Sequence, residues 1–447
     1  MRISIIGLGK LGAPMAAVMA HKGHTVVGVD INPAYVAAVQ EGRAPVNEPG
    51  LAEMIQANRE RLSATLSYED AVLATDVTHI IVPTPSNPDG RFTMRYVLAA
   101  AEKIGAALRK KPSWHIVVLS STVMPGCTGG ELLPALEQYS GKKCGVDFGL
   151  CYNPEFIALG SVIRDMLNPD MILIGESDAR SGATLEEFYR AVCESNPSIQ
   201  RMNYVNAELT KLSVNTFVTT RISYANMLAQ VCETLPGADV DVVTGAIGCD
   251  TRIGKKYLKG ALGYGGPCFP RDNKAFAALA RANGAPALLA EATDHLNQQQ
   301  VPRLAAIVMA HLPEGGTAGV LGLSYKPNTE VVEESQGLAL AKYLAEHDVA
   351  VAVYDPAAMA NAKAQLTGNV TYAQSAAECA KLSDVMAITT PWAEFKTLTP
   401  GDLKRDRITP VVLDCWRQLP RREFQDASIY LTLGAGIELA EQAVGVL

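Results

Sequence analysis

Short, mostly apolar runs rich in Val and Ile punctuate the first two hundred positions, at 3–6, 25–29, 78–82, 116–119 and 171–174, with helical patterns between them. Apolar residues at successive rather than alternate positions mean that both faces of each strand are covered, which predicts a parallel sheet flanked by helices. From 206 to about 235 the period becomes helical, with apolar residues at Leu209, Leu212, Phe217, Ile222 and Leu228. A second helical stretch, 272–311, is broken by Gly284-Ala285-Pro286. A new α/β pattern begins near 315, with strands at 320–323, 349–354, 385–389 and 411–413 and a helix at 335–347. Thr75-Asp76-Val77, followed by Pro83-Thr84-Pro85, is echoed by Ser383-Asp384-Val385 and Thr390-Pro391. The expectation is an α/β chain of three regions: a doubly wound domain over 1–204, a helical centre over 205–312 and a second α/β domain over 313–447.

Gly7-Leu8-Gly9-Lys10-Leu11-Gly12 follows the first strand and opens an Ala/Met-rich helix, and the second strand ends in Asp30. Gly7 permits a tight turn, Gly9 lets backbone approach a pyrophosphate, and Gly12 lets helix and strand pack closely. Asp30 accepts from ribose hydroxyls and repels a 2′-phosphate, so the site reads as one for NAD, with Gly7, Gly9, Leu11, Gly12 and Asp30 facing it. Both α/β regions are then Rossmann-like, joined by the long central helix. Thr84 and Thr122 stand at the ends of predicted strands, where ligands of such sheets bind, although turns that merely terminate strands read the same way.

Composition narrows the partners. A net charge of −7 argues against general binding to nucleic acid or an anionic membrane. Nine cysteines lie without a C-x-x-C pair and seven histidines without a metal-binding grouping, so reduced thiols in the cytoplasm and no metal are expected. No long uncharged apolar run predicts a membrane span, and the strand pattern at the N-terminus leaves no room for a signal peptide.

Gly263-Tyr264-Gly265-Gly266-Pro267-Cys268-Phe269-Pro270-Arg271-Asp272 places one thiol in a glycine-rich loop with a carboxylate four residues on. A thiolate adds to an aldehyde, and the adduct loses hydride to become a thioester, which suits oxidation of an alcohol to an acid. Gly265 and Gly266 would let a substrate approach the backbone, and Asp272 would orient a hydrolytic water. The bland alternative is a buried cysteine acting as a small hydrophobe. Lys211 and Asn215, four apart, share one helix face and suit an oxyanion, or else a solvated surface. Glu155 reads as a water or cofactor ligand or as a structural loop acid, and Lys326 as a phosphate contact.

Taken together, these motifs resemble the UDP-glucose/GDP-mannose dehydrogenase family over nearly the whole chain. Glu48-Pro49-Gly50-Leu51, Asn153-Pro154-Glu155-Phe156, Glu208-Leu209-Thr210-Lys211-Leu212 and Asp250-Thr251-Arg252-Ile253-Gly254 complete the series in order. The resemblance implies a four-electron oxidation of a nucleotide sugar by NAD, with UDP-glucose the first candidate and UDP-hexosamines or GDP-mannose the alternatives. It implies Cys268 as nucleophile, Lys211 and Asn215 at the oxyanion, and Asp272, Glu155 and Thr122 handling water and protons. Thr84, Thr122, Glu155 and Arg271 would join the cofactor site. Lys211, Asn215, Tyr257, Leu258, Lys259, Gly260, Ala261, Gly265 and Lys326 would hold the UDP-sugar, with Arg252 reaching the substrate of a neighbouring subunit in a homodimer or higher homo-oligomer.

Four positions depart from the family pattern. Arg271 replaces a lysine, Leu159 a second glutamate, Glu333 an arginine expected near the cofactor, and Arg417 stands one place beyond its expected position. The opening also resembles β-hydroxyacid dehydrogenases, which are shorter and carry out a two-electron oxidation; a silent nucleotide-binding protein is a third reading.

Overall fold

A computed structural model describes residues 1–404 and 408–436, so positions 405–407 and 437–447 of the region expected over 313–447 lie outside the described residues. The chain divides into two compact units, Met1–Ser213 and Val214–Leu447. In the first, strands β1 (Arg2–Ile6), β2 (Thr25–Val29), β3 (Leu62–Thr65), β4 (Val77–Ile80), β5 (Ile116–Leu119), β6 (Gly149–Tyr152), β7 (Met171–Glu176) and β8 (Ser198–Met202) form one sheet. Their order is β3-β2-β1-β4-β5-β6-β7-β8. The order reverses between β1 and β4, the usual place for a ligand crevice in a doubly wound sheet.

The expected all-parallel arrangement holds from β1 to β6 and then fails. β7 runs antiparallel to β6, pairing Cys151 with Glu176 and Tyr152 with Gly175, and β8 is parallel to β7. A parallel crossover needs a helix long enough to recross the sheet. The segment after β6 contains one six-residue helix, Val162–Leu167, and otherwise forms the loop that carries Glu155. Ile3, Ile5, Val118 and Ile174 belong to the same buried core as the helix Gly12–His21, whose Ala13, Ala16, Ala17 and Ala20 are buried.

The second unit holds a six-stranded parallel sheet of β9 (Thr317–Leu321), β10 (Ala350–Tyr354), β11 (Val370–Tyr372), β12 (Val385–Ile388), β13 (Val411–Asp414) and β14 (Ile429–Thr432), ordered β11-β10-β9-β12-β13-β14. Its six positions repeat the plan of the first six in the first sheet, parallel throughout. The short sequence echo marks equivalent strand entries: Asp76 N donates to the Arg2 carbonyl at 2.7 Å, and Asp384 N to the Thr317 carbonyl at 2.9 Å. The 30-residue helix Tyr204–Glu233 crosses the division between the units. The predicted stretch 272–311 resolves into Phe269–Ala282, Leu288–Gln298 and Gln300–His311. Its start falls before Asp272 because Pro270 is at home in a first helical turn. Among the described residues no helix is long and apolar enough to cross a membrane, and no group of three His, Cys, Asp or Glu side chains is placed to hold a metal.

Candidate functional site

In the first unit, β1 leads into Gly7 at φ +102°, a conformation that side chains disfavour. Gly12 must be bare because a Cβ there would collide with the Gly7 carbonyl. A Cβ on Gly9 would meet nothing within 4 Å, so this backbone faces open space. The helix beginning at Gly12 has no side-chain cap at Leu11; Ala13 N donates to the Gly9 carbonyl at 3.1 Å and Pro14 carries no N–H, so the Gly12 amide is the first-turn donor placed for an anion. Asp30 follows β2 and accepts from Leu8 N at 2.7 Å on one oxygen and from Asn32 N at 2.8 Å on the other. Each oxygen keeps a second lone pair for a ribose hydroxyl. Thr84 Oγ1 donates to the Thr122 carbonyl at 2.7 Å and ties together the loops after β4 and β5. These residues fit a dinucleotide: a glycine cradle, an uncapped helix terminus and an acceptor at the end of the next strand.

The second unit repeats the turn but fills it. Asp355, after β10, is 1% exposed. Its Oδ2 accepts from Leu323 N, Ser324 N, Ser324 Oγ and Trp392 Nε1, and its Oδ1 from Ala357 N and Ala358 N, all within 3.1 Å. The helix between β9 and β10, Gln336–Glu346, is capped by Ser335, whose hydroxyl accepts from Leu338 N. The protein itself therefore occupies the positions that the first unit leaves to a ligand.

Glu155 lies in the loop after β6. The residue is half-buried, and the protein crowding its carboxyl pushes it up to about 7 against the pull of the Lys211 ammonium and the Tyr189 hydroxyl. Lys211 is 8% exposed; its Nζ donates to the Glu155 carbonyl at 2.7 Å and sits 4.6 Å from the Phe156 ring centre. The solvated-surface alternative for Lys211 is thereby excluded. Asn153 anchors the same loop by donating to the Leu173 carbonyl at 2.9 Å and accepting from the Tyr189 hydroxyl.

Two buried acids in the quoted motifs had no role assigned from sequence. Glu48 accepts from Gly160 N at 2.8 Å and Val162 N at 2.7 Å, holding the far end of the Glu155 loop. Glu208 accepts from Gly126 N at 2.6 Å and Thr128 N at 2.7 Å, and so fixes the turn that follows Thr122. Burial pushes the Glu208 carboxyl up, opposed by these amides. Its place one turn before Lys211 was the available signal. Leu159, in place of the family's glutamate, packs against the core of the first unit.

In the second unit Cys268 is exposed and immediately precedes the helix Phe269–Ala282. The buried-hydrophobe alternative fails on that exposure, and the helix N-terminus favours negative charge at this point of the chain. Asp272 N donates to the Cys268 carbonyl at 2.8 Å, so thiol and carboxylate are one helical turn apart. Asp272 is 1% exposed; Asn215 Nδ2 donates to its Oδ2 at 2.6 Å, and Arg271 reaches its Oδ1 at 3.3 Å. This bond uses one of the two Nδ2 hydrogens of Asn215, and Arg271, expected at the cofactor, engages the neighbouring acid.

Gly265 and Gly266 must also be bare for packing within the chain: a Cβ on Gly265 would strike the Glu334 carbonyl, and one on Gly266 would enter the Tyr325 ring, so the 325–334 segment lies against that side of the loop. Glu333 contributes its backbone there, accepting from Gly266 N at 3.0 Å. Of the other expected substrate contacts, Leu258, Gly260 and Ala261 are buried, while Arg252, Tyr257 and Lys259 are exposed. Arg252 pairs with Asp250 at 2.6 Å, and the Lys326 ammonium lies 5.8 Å from the Tyr325 ring centre. The displaced Arg417 is an internal clamp that donates to both Asp241 oxygens and to the Leu433 carbonyl.

The raised Glu155 carboxyl has a definite sign in stability. Between about 4.5 and about 7 the unfolded chain loses this proton while the folded chain keeps it, so the residue costs more stability as pH rises through that window. Wild type should therefore lose stability relative to Glu155→Gln between about pH 4.5 and about pH 7, as read by urea denaturation at several pH values. A difference that stays constant across the window contradicts the burial described.

Family models match the chain in three consecutive blocks of the UDP-glucose/GDP-mannose dehydrogenase family: the NAD binding domain at 1–193, the central domain at 205–299 and the UDP binding domain at 319–421. The chain is 37% identical over 431 residues to UDP-glucose 6-dehydrogenase of Haloferax volcanii, covering 95% of this chain and 99% of that one. It is 34% identical over 359 residues to GDP-mannose 6-dehydrogenase of Pseudomonas aeruginosa, covering 79% and 81%. Its fold superposes on a UDP-glucose dehydrogenase from the hyperthermophilic archaeon Pyrobaculum islandicum with a TM-score of 0.87 and 37% identity, over 97% of this chain and 98% of that one. Three matched domains in sequence order, together with relatives of this identity and coverage, establish that the chain belongs to the UDP-glucose/GDP-mannose dehydrogenase family.

Proposed function

We propose that this chain is an NAD-dependent nucleotide-sugar 6-dehydrogenase that oxidises UDP-glucose to UDP-glucuronate through a thioester on Cys268. The observation that carries the mechanism is an exposed thiol at a helix N-terminus, one turn before a buried carboxylate held by Asn215. The division of labour follows the three sequence regions: 1–204 for NAD, 205–312 for the thiol and subunit pairing, and 313–447 for the nucleotide sugar.

Gly7, Gly9, Leu11, Gly12, Asp30, Thr84 and Thr122 would hold NAD, which would supply the hydride acceptor. Overall, one alcohol and one water become one carboxylate, with two hydrides and three protons released. The substrate's C6 hydroxyl first loses its proton while the C6 carbon loses a hydride, giving an aldehyde. The Cys268 thiolate adds to the aldehyde carbon, forming a C–S bond and an alkoxide that the Lys211 ammonium and the Asn215 amide stabilise. Departure of the second hydride leaves a thioester. Water, oriented by Asp272 with Glu155 and Thr122 assisting, adds to it; the C–S bond breaks and the thiolate returns. A carboxyl pushed up to about 7 lets Glu155 take and return a proton near neutrality. Arg271 keeps a positive charge beside this centre, and Lys326, Tyr257, Lys259 and Arg252 are the exposed or half-buried groups assigned to the UDP-sugar. GDP-mannose is the second substrate reading, carried by the relative that bears that name.

The long helix supports the oligomer part of this reading. Phe217, Tyr224 and Val231, seven residues apart, are 63%, 47% and 47% exposed, an apolar stripe suited to a second copy of the chain. Nine thiols suit a cytoplasmic location, which fractionation of the source cells would test.

Two outcomes test the proposal. Cys268→Ser should abolish uronate formation while NAD affinity stays within about twofold by calorimetry, since a thiol acts on the aldehyde and not on the dinucleotide; uronate production at the wild-type rate contradicts it. Phe217→Glu should shift the protein toward monomer in sedimentation, and an unchanged oligomer would show that this stripe is not the interface.

A further inference from the structure

Between Ala261 and Cys268 the second unit has no regular structure, so the loop's backbone groups must find partners outside any ladder. Two asparagines supply them. Asn226, 3% exposed on the helix Tyr204–Glu233, accepts from Ala261 N at 2.9 Å and donates to the Leu262 carbonyl at 2.9 Å. Asn297, on the helix Leu288–Gln298, accepts from Tyr264 N at 2.8 Å and donates to the Tyr264 carbonyl at 3.0 Å. A side-chain amide presents one donor and one acceptor side by side, so each asparagine acts like a single rung of sheet hydrogen bonding. One turn before Asn297, Asp294 accepts from the Tyr264 hydroxyl at 2.8 Å, so this helix grips Tyr264 by both ring and backbone. Only three residues separate Tyr264 from Cys268.

We infer that Asn226 and Asn297 are positioning residues that fix the approach of the Cys268 loop, so that aldehyde is captured before it can dissociate. The inference rests on the proposed thioester route. Formation of the aldehyde needs no sulfur; its capture needs the thiolate at attack distance from the aldehyde carbon, and a displacement of about 1 Å is enough to cost one or two orders of magnitude. Loosening the clamp therefore weakens the second oxidation more than the first. The surplus is electron-balanced: one hydride leaves the alcohol, and the aldehyde departs in place of the acid.

Asn297→Asp is the primary test, because it keeps the acceptor for Tyr264 N while setting an oxygen against the Tyr264 carbonyl. Turnover of UDP-glucose is followed with semicarbazide as an aldehyde trap, and Cys268 alkylation by iodoacetamide is timed without sugar. Wild type is expected to give two NADH per uronate and no trapped aldehyde. The variant should release trapped aldehyde, lose about tenfold or more in kcat with KM within about threefold, and show an altered alkylation rate. A folded variant that partitions and alkylates as wild type does overturns the inference. If wild type itself forms one NADH and no uronate, the functional reading fails instead, while the alkylation rates still decide whether the clamp sets the thiol. Should Asn297→Asp not fold, Tyr264→Phe, which removes only the hydroxyl held by Asp294, is measured and judged in the same way.

Discussion

A carboxylate that is almost wholly removed from water carries a large desolvation cost, and Asp272 can remain in its place only because hydrogen bonds replace its hydration. Asn215 and Arg271 supply them. That requirement joins the long helix bearing Asn215 to the helix whose first residues follow Cys268. The thiol's surroundings are thus set by a polar contact that cannot be relaxed cheaply, not by the glycine-rich loop alone. Glycines in that loop serve a complementary purpose: they let Tyr325 and the 333–334 backbone close over it.

The two sheets show how one topology yields different chemistry. Each unit places a glycine turn after its first strand and an aspartate after its second. In the first unit Asp30 is half-buried with acceptor capacity to spare, beside a helix terminus without a side-chain cap. In the second, Asp355 is saturated and the helix is capped by Ser335. A dinucleotide reader and a packing device therefore differ in hydrogen-bond accounting rather than in strand order.

Much of this was legible in the residues. Most central strands announced themselves because burial on both faces favours runs of Val and Ile, and the first glycine motif because a tight turn and close helix packing leave few alternatives; β6, Gly149-Leu150-Cys151-Tyr152, is fully buried yet holds no Val or Ile and was missed. The edges were not. β8 reads Ser198-Ile199-Gln200-Arg201-Met202, half polar, and β11 has three residues, so neither carries the signal of a buried strand. The reversal at β7 depends on how a loop returns, which local pattern does not record. Glu48 and Glu208 resemble surface acids until their amide partners, over a hundred and about eighty residues away in sequence, are seen. The same applies to Gly265 and Gly266: their smallness was evident, but what fills the space beside them was not.

The central claim is that the sulfur of Cys268 carries the substrate's carbon between the two oxidations. Rapid acid quenching of a single turnover with UDP-glucose and NAD, followed by peptide mass spectrometry, examines this directly, since thioesters survive acid. A uronyl adduct that rises and decays on the peptide containing Cys268 is the expected result. Uronate accumulating while that peptide stays unmodified at every quench time, or an adduct on a different residue, would contradict the account.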